Sequence, residues 1–159
     1  MENKILIVYY THSENTEKIA EIIADKTRGY LLKIEPEKAY PKTYSLVVAQ
    51  AKDEISKGFY PKLKTDIPNL DMYDIIFVGT PNWWSTIAPP IKTFLIENDL
   101  SGKKVIPFYT HGGGGAGHIV KDIKELCPAS EVLNDLGLYG NGGSSAEREV
   151  SQWIEKLGL

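Results

Sequence analysis

Apolar runs alternate with amphipathic stretches along most of the chain. Lys4 to Tyr10 (KILIVYY) is unbroken, apolar and β-branched, the pattern of a strand covered on both faces, as strands of parallel sheets are. From Thr16 the apolar positions Ile19, Ala20, Ile23 and Thr27 take helical spacing, and Asn15 or Thr16 supplies a cap. Gly29 interrupts, and Tyr30 to Ile34 predicts a second strand that ends before Pro36. Asp74 to Thr80 (DIIFVGT) predicts the third strand and Lys104 to Thr110 (KVIPFYT) the fourth, where Pro107 implies a ladder irregularity or an edge. Val132 to Tyr139 predicts a fifth strand with Gly137 as its weak point.

Helices fill the intervals. Tyr44, Val47, Val48, Ala51 and Ile55 share one helical face within the long connection from Ala39 to Leu70, and Gly58 stops that helix. Tyr40, Phe59 and Tyr60 flank it and are read as local packing. Pro89-Pro90 suits a first helical turn, with Ile91, Phe94 and Leu95 on the buried face. Ile119, Val120, Ile123 and Leu126 form a stripe that ends at Pro128, and Val150, Trp153, Ile154 and Leu157 give the last helix. Strands alternating with helices, without repeats or a linker, predict one three-layer α/β domain with right-handed crossovers. In such sheets ligands bind at the carboxyl ends of the strands, where strand order reverses.

Composition narrows the function classes. At 159 residues, 42% hydrophobic and 25% charged, disorder and disulfide scaffolds are poor explanations. The net charge of −3 gives no reason to expect nucleic acid. Cys127 is the one cysteine and has no internal disulfide partner, which fits a reducing compartment. Met1 to Lys4 leads into an apolar run too short to cross a bilayer and without a cleavage pattern, so a cytoplasmic location without membrane insertion is expected.

Three loops fall at strand ends. Thr11-His12-Ser13-Glu14-Asn15-Thr16 runs into the first helix and offers three hydroxyls, an amide and free backbone N–H groups at a positive helix end, a combination suited to phosphate. Neither Gly-x-x-x-x-Gly-Lys-Ser/Thr nor Gly-x-Gly-x-x-Gly occurs, so a terminal monophosphate fits better than ATP, GTP or a dinucleotide. The second loop, Thr80-Pro81-Asn82-Trp83-Trp84-Ser85-Thr86, carries adjacent indoles that cannot both bury on one face; at least one is expected to meet a planar ligand. Such stacking adds about 0.5–1.5 kcal/mol beyond area burial. The third loop, Thr110-His111-Gly112-Gly113-Gly114-Gly115-Ala116-Gly117-His118, lets backbone approach a ligand closely. His118 begins a helix; a surface or capping role is favoured for both histidines, although His111 also stands where a ligand would lie.

Together these loops resemble the flavodoxin family, whose phosphate loop runs Ser/Thr-x-Thr-Gly-x-Thr and whose two later loops enclose the flavin of FMN. Thr11, Ser13 and Thr16 match the hydroxyl positions, Asn15 matches a common neighbour, and Gly79 to Trp84 (Gly-Thr-Pro-x-Trp-Trp) looks like a short-chain branch. Glu14 stands where Gly is usual, and like-charge repulsion requires its carboxylate to point away from a phosphate. The resemblance covers nearly the whole chain. It implies a flavodoxin-like three-layer sandwich over residues 1–159, a five-stranded parallel sheet of order 2-1-3-4-5, and non-covalent FMN. Its site would comprise Thr11, His12, Ser13, Glu14, Asn15 and Thr16 at the phosphate, with Thr80, Pro81, Asn82, Trp83, Trp84, Thr110, His111, Gly112, Gly113 and Gly117 around the ring. Backbone groups of Asn82 and Trp83 are the candidates for the ring edge, and Trp83 for stacking.

The resemblance implies an electron carrier of low potential that meets redox partner proteins transiently. An uncharged, aromatic-walled site disfavours negative charge on the ring, and each ~1.4 kcal/mol of bias moves a one-electron potential by ~59 mV. An FMN-dependent oxidoreductase passing electrons from NAD(P)H to a quinone is the alternative, with the aromatic connection from Tyr40 to Tyr60 and His111 to supply its pocket over the flavin, as is a flavin-binding protein without turnover. A phosphoacceptor module fits poorly, because its acidic and lysine positions carry Tyr10-Thr11, Thr80 and Tyr139-Gly140 here.

Overall fold

In the computed structural model, which describes residues 4–159, β1 (Ile5–Tyr9) lies between β2 (Tyr30–Lys33) and β3 (Ile75–Pro81), with Val8 opposite Leu32 on one side and Val78 on the other. The reading of Met1 to Asn3 lies outside the described residues. β4 (Lys104–His111) follows β3, and β5 (Glu131–Val132) and β6 (Leu136–Tyr139) both pair with β4. Every pairing is parallel, and the order is β2-β1-β3-β4-β5, the expected 2-1-3-4-5 with β5 and β6 sharing the last position.

The split of that last strand has a cause inside β4. Pro107 lies opposite Val78 of β3, and on its other side β5 pairs only at Lys104 and Val105 while β6 pairs only from Phe108 onward. Proline brings no N–H to a ladder, so the interruption faces a position with nothing to donate. Gly137, the expected weak point, is where Tyr109 crosses: an added Cβ would come within 2.3 Å of that ring.

Among the described residues five α-helices cover both faces of the sheet. Leu6, Val8, Ile76 and Val105 pack against Ile91 and Phe94 of α3 (Pro89–Glu97) and Ile119 and Ile123 of α4 (Ile119–Leu126). Ile7, Phe77, Ile106 and Phe108 pack against Ile19 and Ile23 of α1 (Asn15–Thr27) and Val150 and Trp153 of α5 (Ala146–Leu157). Each such side chain contributes about 1.5–3 kcal/mol by leaving water. α2 (Tyr44–Ser56) is held more loosely, burying Val47 and Ala51 while Tyr44 and Leu46 stay exposed. Phe59 and Tyr60 are also exposed, against the packing role expected of them.

α1 departs from expectation at its start. Neither Asn15 nor Thr16 caps it; Glu14 occupies the cap position at φ 70°, ψ −2°, and its side chain makes no capping bond. The left-handed turn there takes the place of a side-chain cap, which is why Gly is the common residue at this position in the motif. Among the described residues no helix is long and apolar enough to cross a membrane.

Candidate functional site

The chain leaves β1 for one side of the sheet and β3 for the other, so the loops after β1, β3 and β4 meet where strand order reverses. In the first loop Thr11 Oγ1 accepts the Glu17 amide at 3.3 Å and braces the first turn of α1. Thr16 is buried, and its hydroxyl meets that of Thr110 at 2.8 Å, joining the first loop to the third. Glu14 is exposed. Among the described residues the amides of Ser13, Glu14, Asn15 and Thr16 donate to no protein acceptor. Four open donors at a helix N-terminus are the arrangement that takes an anion.

The second loop is braced from within. Trp83 and Thr86 exchange both backbone hydrogen bonds at 3.1 Å around a two-residue turn, with Trp84 at φ 55° and Ser85 at φ 68°. Such a turn is ordinarily made by Asn and Gly, and a bulky residue there costs on the order of 1–3 kcal/mol. Asn82 holds the strained backbone: its Oδ1 accepts the Ser85 amide at 2.9 Å and its Nδ2 donates to Gly115 O at 2.7 Å. Gly117, at φ 50°, lets the third loop lie against this turn, since an added Cβ would stand 2.6 Å from Ser85 O. Thr86 bonds Asp122 of α4, and Thr80, fully buried, accepts the Ala88 amide at 2.9 Å where α3 begins.

The two indoles separate as adjacent side chains must. Trp83 is half-buried, with Tyr40, Tyr10 and His12 edge-on at centroid distances of 5.0, 5.5 and 5.9 Å. Trp84 is 49% exposed, its indole N–H donates to Val48 O of α2 at 3.0 Å, and Lys52 Nζ lies 5.1 Å from its ring. Of the backbone groups of Asn82 and Trp83 expected at a ligand edge, the two amides are engaged within the protein: Asn82 N donates to Thr110 O at 2.8 Å and Trp83 N closes the turn. Extension of the β3–β4 pairing past Pro81 consumes the first donor and the hairpin the second.

A cleft of about 530 Å³ opens between these loops. His12, Ser13 and Asn15 line it from the first loop, Pro81, Asn82, Trp83 and Trp84 from the second, and Thr110, His111 and Gly112 from the third. Thr11, Glu14, Thr16, Thr80, Gly113 and Gly117 do not line it; the bonds and the close approach described above make Thr11, Thr16, Thr80 and Gly117 braces of the loops. Both cleft histidines are tied to the backbone, His12 Nε2 to Pro41 O at 2.8 Å and His111 Nδ1 to the Gly113 amide at 3.0 Å. The far wall, made of Tyr44, Val47, Val48 and Ala51, lies in the Tyr40–Tyr60 connection expected to supply a pocket for a reductase, but its residues were not singled out for the site, nor were Tyr139 and Gly140 at the end of β6. The α2 stripe was visible but reads as core, and Tyr139 at a strand end was the available signal for the other wall.

Among the described residues the lining carries no Lys or Arg and no carboxylate. Open amides at one end, apolar and aromatic walls along the rest and a volume within the range of cofactor pockets suit a flat ring bearing one phosphate. A family model described as flavodoxin matches residues 4–157. A crystallised Bacteroides uniformis protein is 28% identical with a TM-score of 0.86, covering 98% of this chain and 99% of that one. A Lactobacillus acidophilus flavoprotein in complex with FMN is 25% identical with a TM-score of 0.76, covering 96% of this chain and 99% of that one. An NAD(P)H dehydrogenase (quinone) of Paraburkholderia phymatum is 29% identical over 126 residues, 69% of this chain; the matched region is 59% of that protein's length. From β1 through α5 the match is continuous, and the chain belongs to the flavodoxin family.

Proposed function

We propose that residues 1–159 form a single FMN-binding domain that carries electrons at low potential between transiently bound protein partners. The row of open amides on α1, at one end of an aromatic-walled cleft, is the observation that carries this reading. When bound, FMN supplies reversible uptake of one or two electrons. Ser13 and the amides of Ser13 to Thr16 hold the phosphate; Thr11 and Thr16 fix that loop, Asn15 and His12 flank it, and Glu14 keeps its carboxylate in solvent. Pro81, Asn82, Trp83 and Trp84 form one side of the ring site, and Thr110, His111 and Gly112 the other, with Thr80, Gly113 and Gly117 setting their backbone. Among the described residues no Lys or Arg lines the cleft and Lys52 lies against the Trp84 indole, so negative charge added at the ring has no cation in direct contact, which lowers the potential. The lone Cys127, buried with its thiol pKa pushed up to about 11 by desolvation, suits a reducing cytoplasm.

A reductase passing electrons from NAD(P)H to a quinone is the second reading. The Paraburkholderia relative supports it, as do exposed Tyr44 and Tyr139 at the mouth, which offer a surface for a second flat molecule. Mixing FMN-loaded protein with NADPH and a naphthoquinone separates the two. The carrier reading expects turnover well below about 1 s⁻¹ without a partner reductase, whereas rates in the ordinary enzyme range replace it with the reductase.

A further inference from the structure

Trp83, Tyr40 and Tyr10 form a contiguous aromatic cluster behind the cleft wall. Trp83 lines the cleft, Tyr40 meets it edge-on with ring centroids 5.0 Å apart, and Tyr10 closes the triangle at 5.5 Å from Trp83 and 6.0 Å from Tyr40. Both tyrosines are buried. One ring of the three has a base in contact. Tyr40 O–H donates to Glu54 Oε1 at 2.5 Å, and Gln50 Nε2 donates to the other carboxylate oxygen at 2.9 Å. Among the described residues neither the Trp83 indole N–H nor the Tyr10 hydroxyl donates to a protein acceptor.

That asymmetry matters for oxidation. A phenol that loses an electron becomes a strong acid, so oxidation is favoured where an acceptor waits within hydrogen-bond reach. We propose that Trp83, Tyr40 and Glu54 form an electron–proton relay that discharges photoexcited flavin in the cleft, an inference that rests on the FMN reading above. One electron leaves Trp83 for the photoexcited flavin, which is reduced by one electron, and Tyr40 refills Trp83. As Tyr40 is oxidised its O–H bond breaks and an O–H bond forms at Glu54 Oε1. The electron then returns from the cleft, the proton goes back from Glu54 to Tyr40, and every atom and electron regains its starting place. Absorbed light is thereby dissipated without net chemistry.

The resting state is set for this order of events. Burial, the Glu54 hydrogen bond and its charge push the Tyr40 pKa far above the ordinary phenol range, so the proton leaves only when the electron does. Tyr10 lacks the acceptor and serves as packing for the other two rings.

Flash photolysis of FMN-loaded protein, read for tryptophan and tyrosine radical absorption, tests the relay. The expected result is a tryptophan signal that gives way to a tyrosyl signal. Tyr40→Phe keeps the ring packing and leaves only the tryptophan signal; Glu54→Gln lowers the tyrosyl yield by roughly tenfold or more, the factor attached to losing one charge-assisted hydrogen bond. A tyrosyl signal that survives Tyr40→Phe, an unchanged yield in Glu54→Gln, or no tyrosyl signal in the unsubstituted protein overturns the relay. Azide radical oxidises tryptophan without any flavin, and running it on the same proteins separates the two ideas. Migration to Tyr40 in a protein that refuses FMN upholds the side-chain relay and overturns the flavin reading, while FMN bound without migration in either arm overturns the relay alone.

Discussion

The two ends of the cleft are built on opposite principles. At the α1 end the backbone is left unsatisfied: four consecutive amides have no partner among the described residues, and the side chains around them act mainly to hold the loop. At the Trp83–Trp84 end the amides of Asn82 and Trp83 are consumed by the β3–β4 extension and the hairpin, that of Ser85 by the Asn82 side chain, and the indoles wall the cleft. An anion needs donors that wait for it, whereas a flat ring needs walls that do not move. Strain is tolerated at both ends, at Glu14 and at Trp84-Ser85, where the surrounding bonds hold it.

Asn82→Ala attacks the braced end and carries the largest expected effect. It removes both side-chain bonds that hold the strained turn, so FMN and riboflavin should both weaken by roughly thirtyfold, or about 2 kcal/mol, in fluorescence titrations. Ser13→Ala probes the open end and should separate the ligands, costing FMN about 1.5 kcal/mol and riboflavin almost nothing. Equal losses would place the phosphate elsewhere. Glu14→Gly carries the smallest effect: relief of left-handed backbone, worth about 1–2 kcal/mol, outweighs the ~0.3–1 kcal/mol that an acidic residue gives a helix N-terminus. A net gain of about 0.5–1 kcal/mol is expected in urea unfolding, with tighter FMN binding because a like charge has gone.

Much of the fold follows from local pattern. The unbroken apolar strands were legible because both sheet faces are covered, so no polar alternation blurs them. Pro107 announced an irregularity correctly, but the place where it would break the sheet depended on β5 and β6, which no local signal fixes. At the site, the three loops follow from the strand ends. The α2 wall did not, because Val47, Val48 and Ala51 have the same spacing whether they face a core or a cleft. Tyr40 was rightly read as packing, yet the ring it packs on is Trp83 and its hydroxyl reaches Glu54, a pairing across 14 residues that sequence spacing does not reveal. The capping expectation at Asn15 and Thr16 failed because Glu14 takes the cap position in a left-handed turn, while Thr16 turns its hydroxyl to Thr110, 94 residues away.

Calorimetric titration with FMN and riboflavin at several pH values tests the central claim, that neutral donors on α1 hold a phosphate beside an aromatic ring site. The account predicts sub-micromolar FMN binding at pH 7.5, about a hundredfold tighter than riboflavin, with the gap shrinking below about pH 6 as the phosphate dianion takes up a proton and becomes a monoanion. Equal affinities at every pH, or no binding of either molecule, would contradict it.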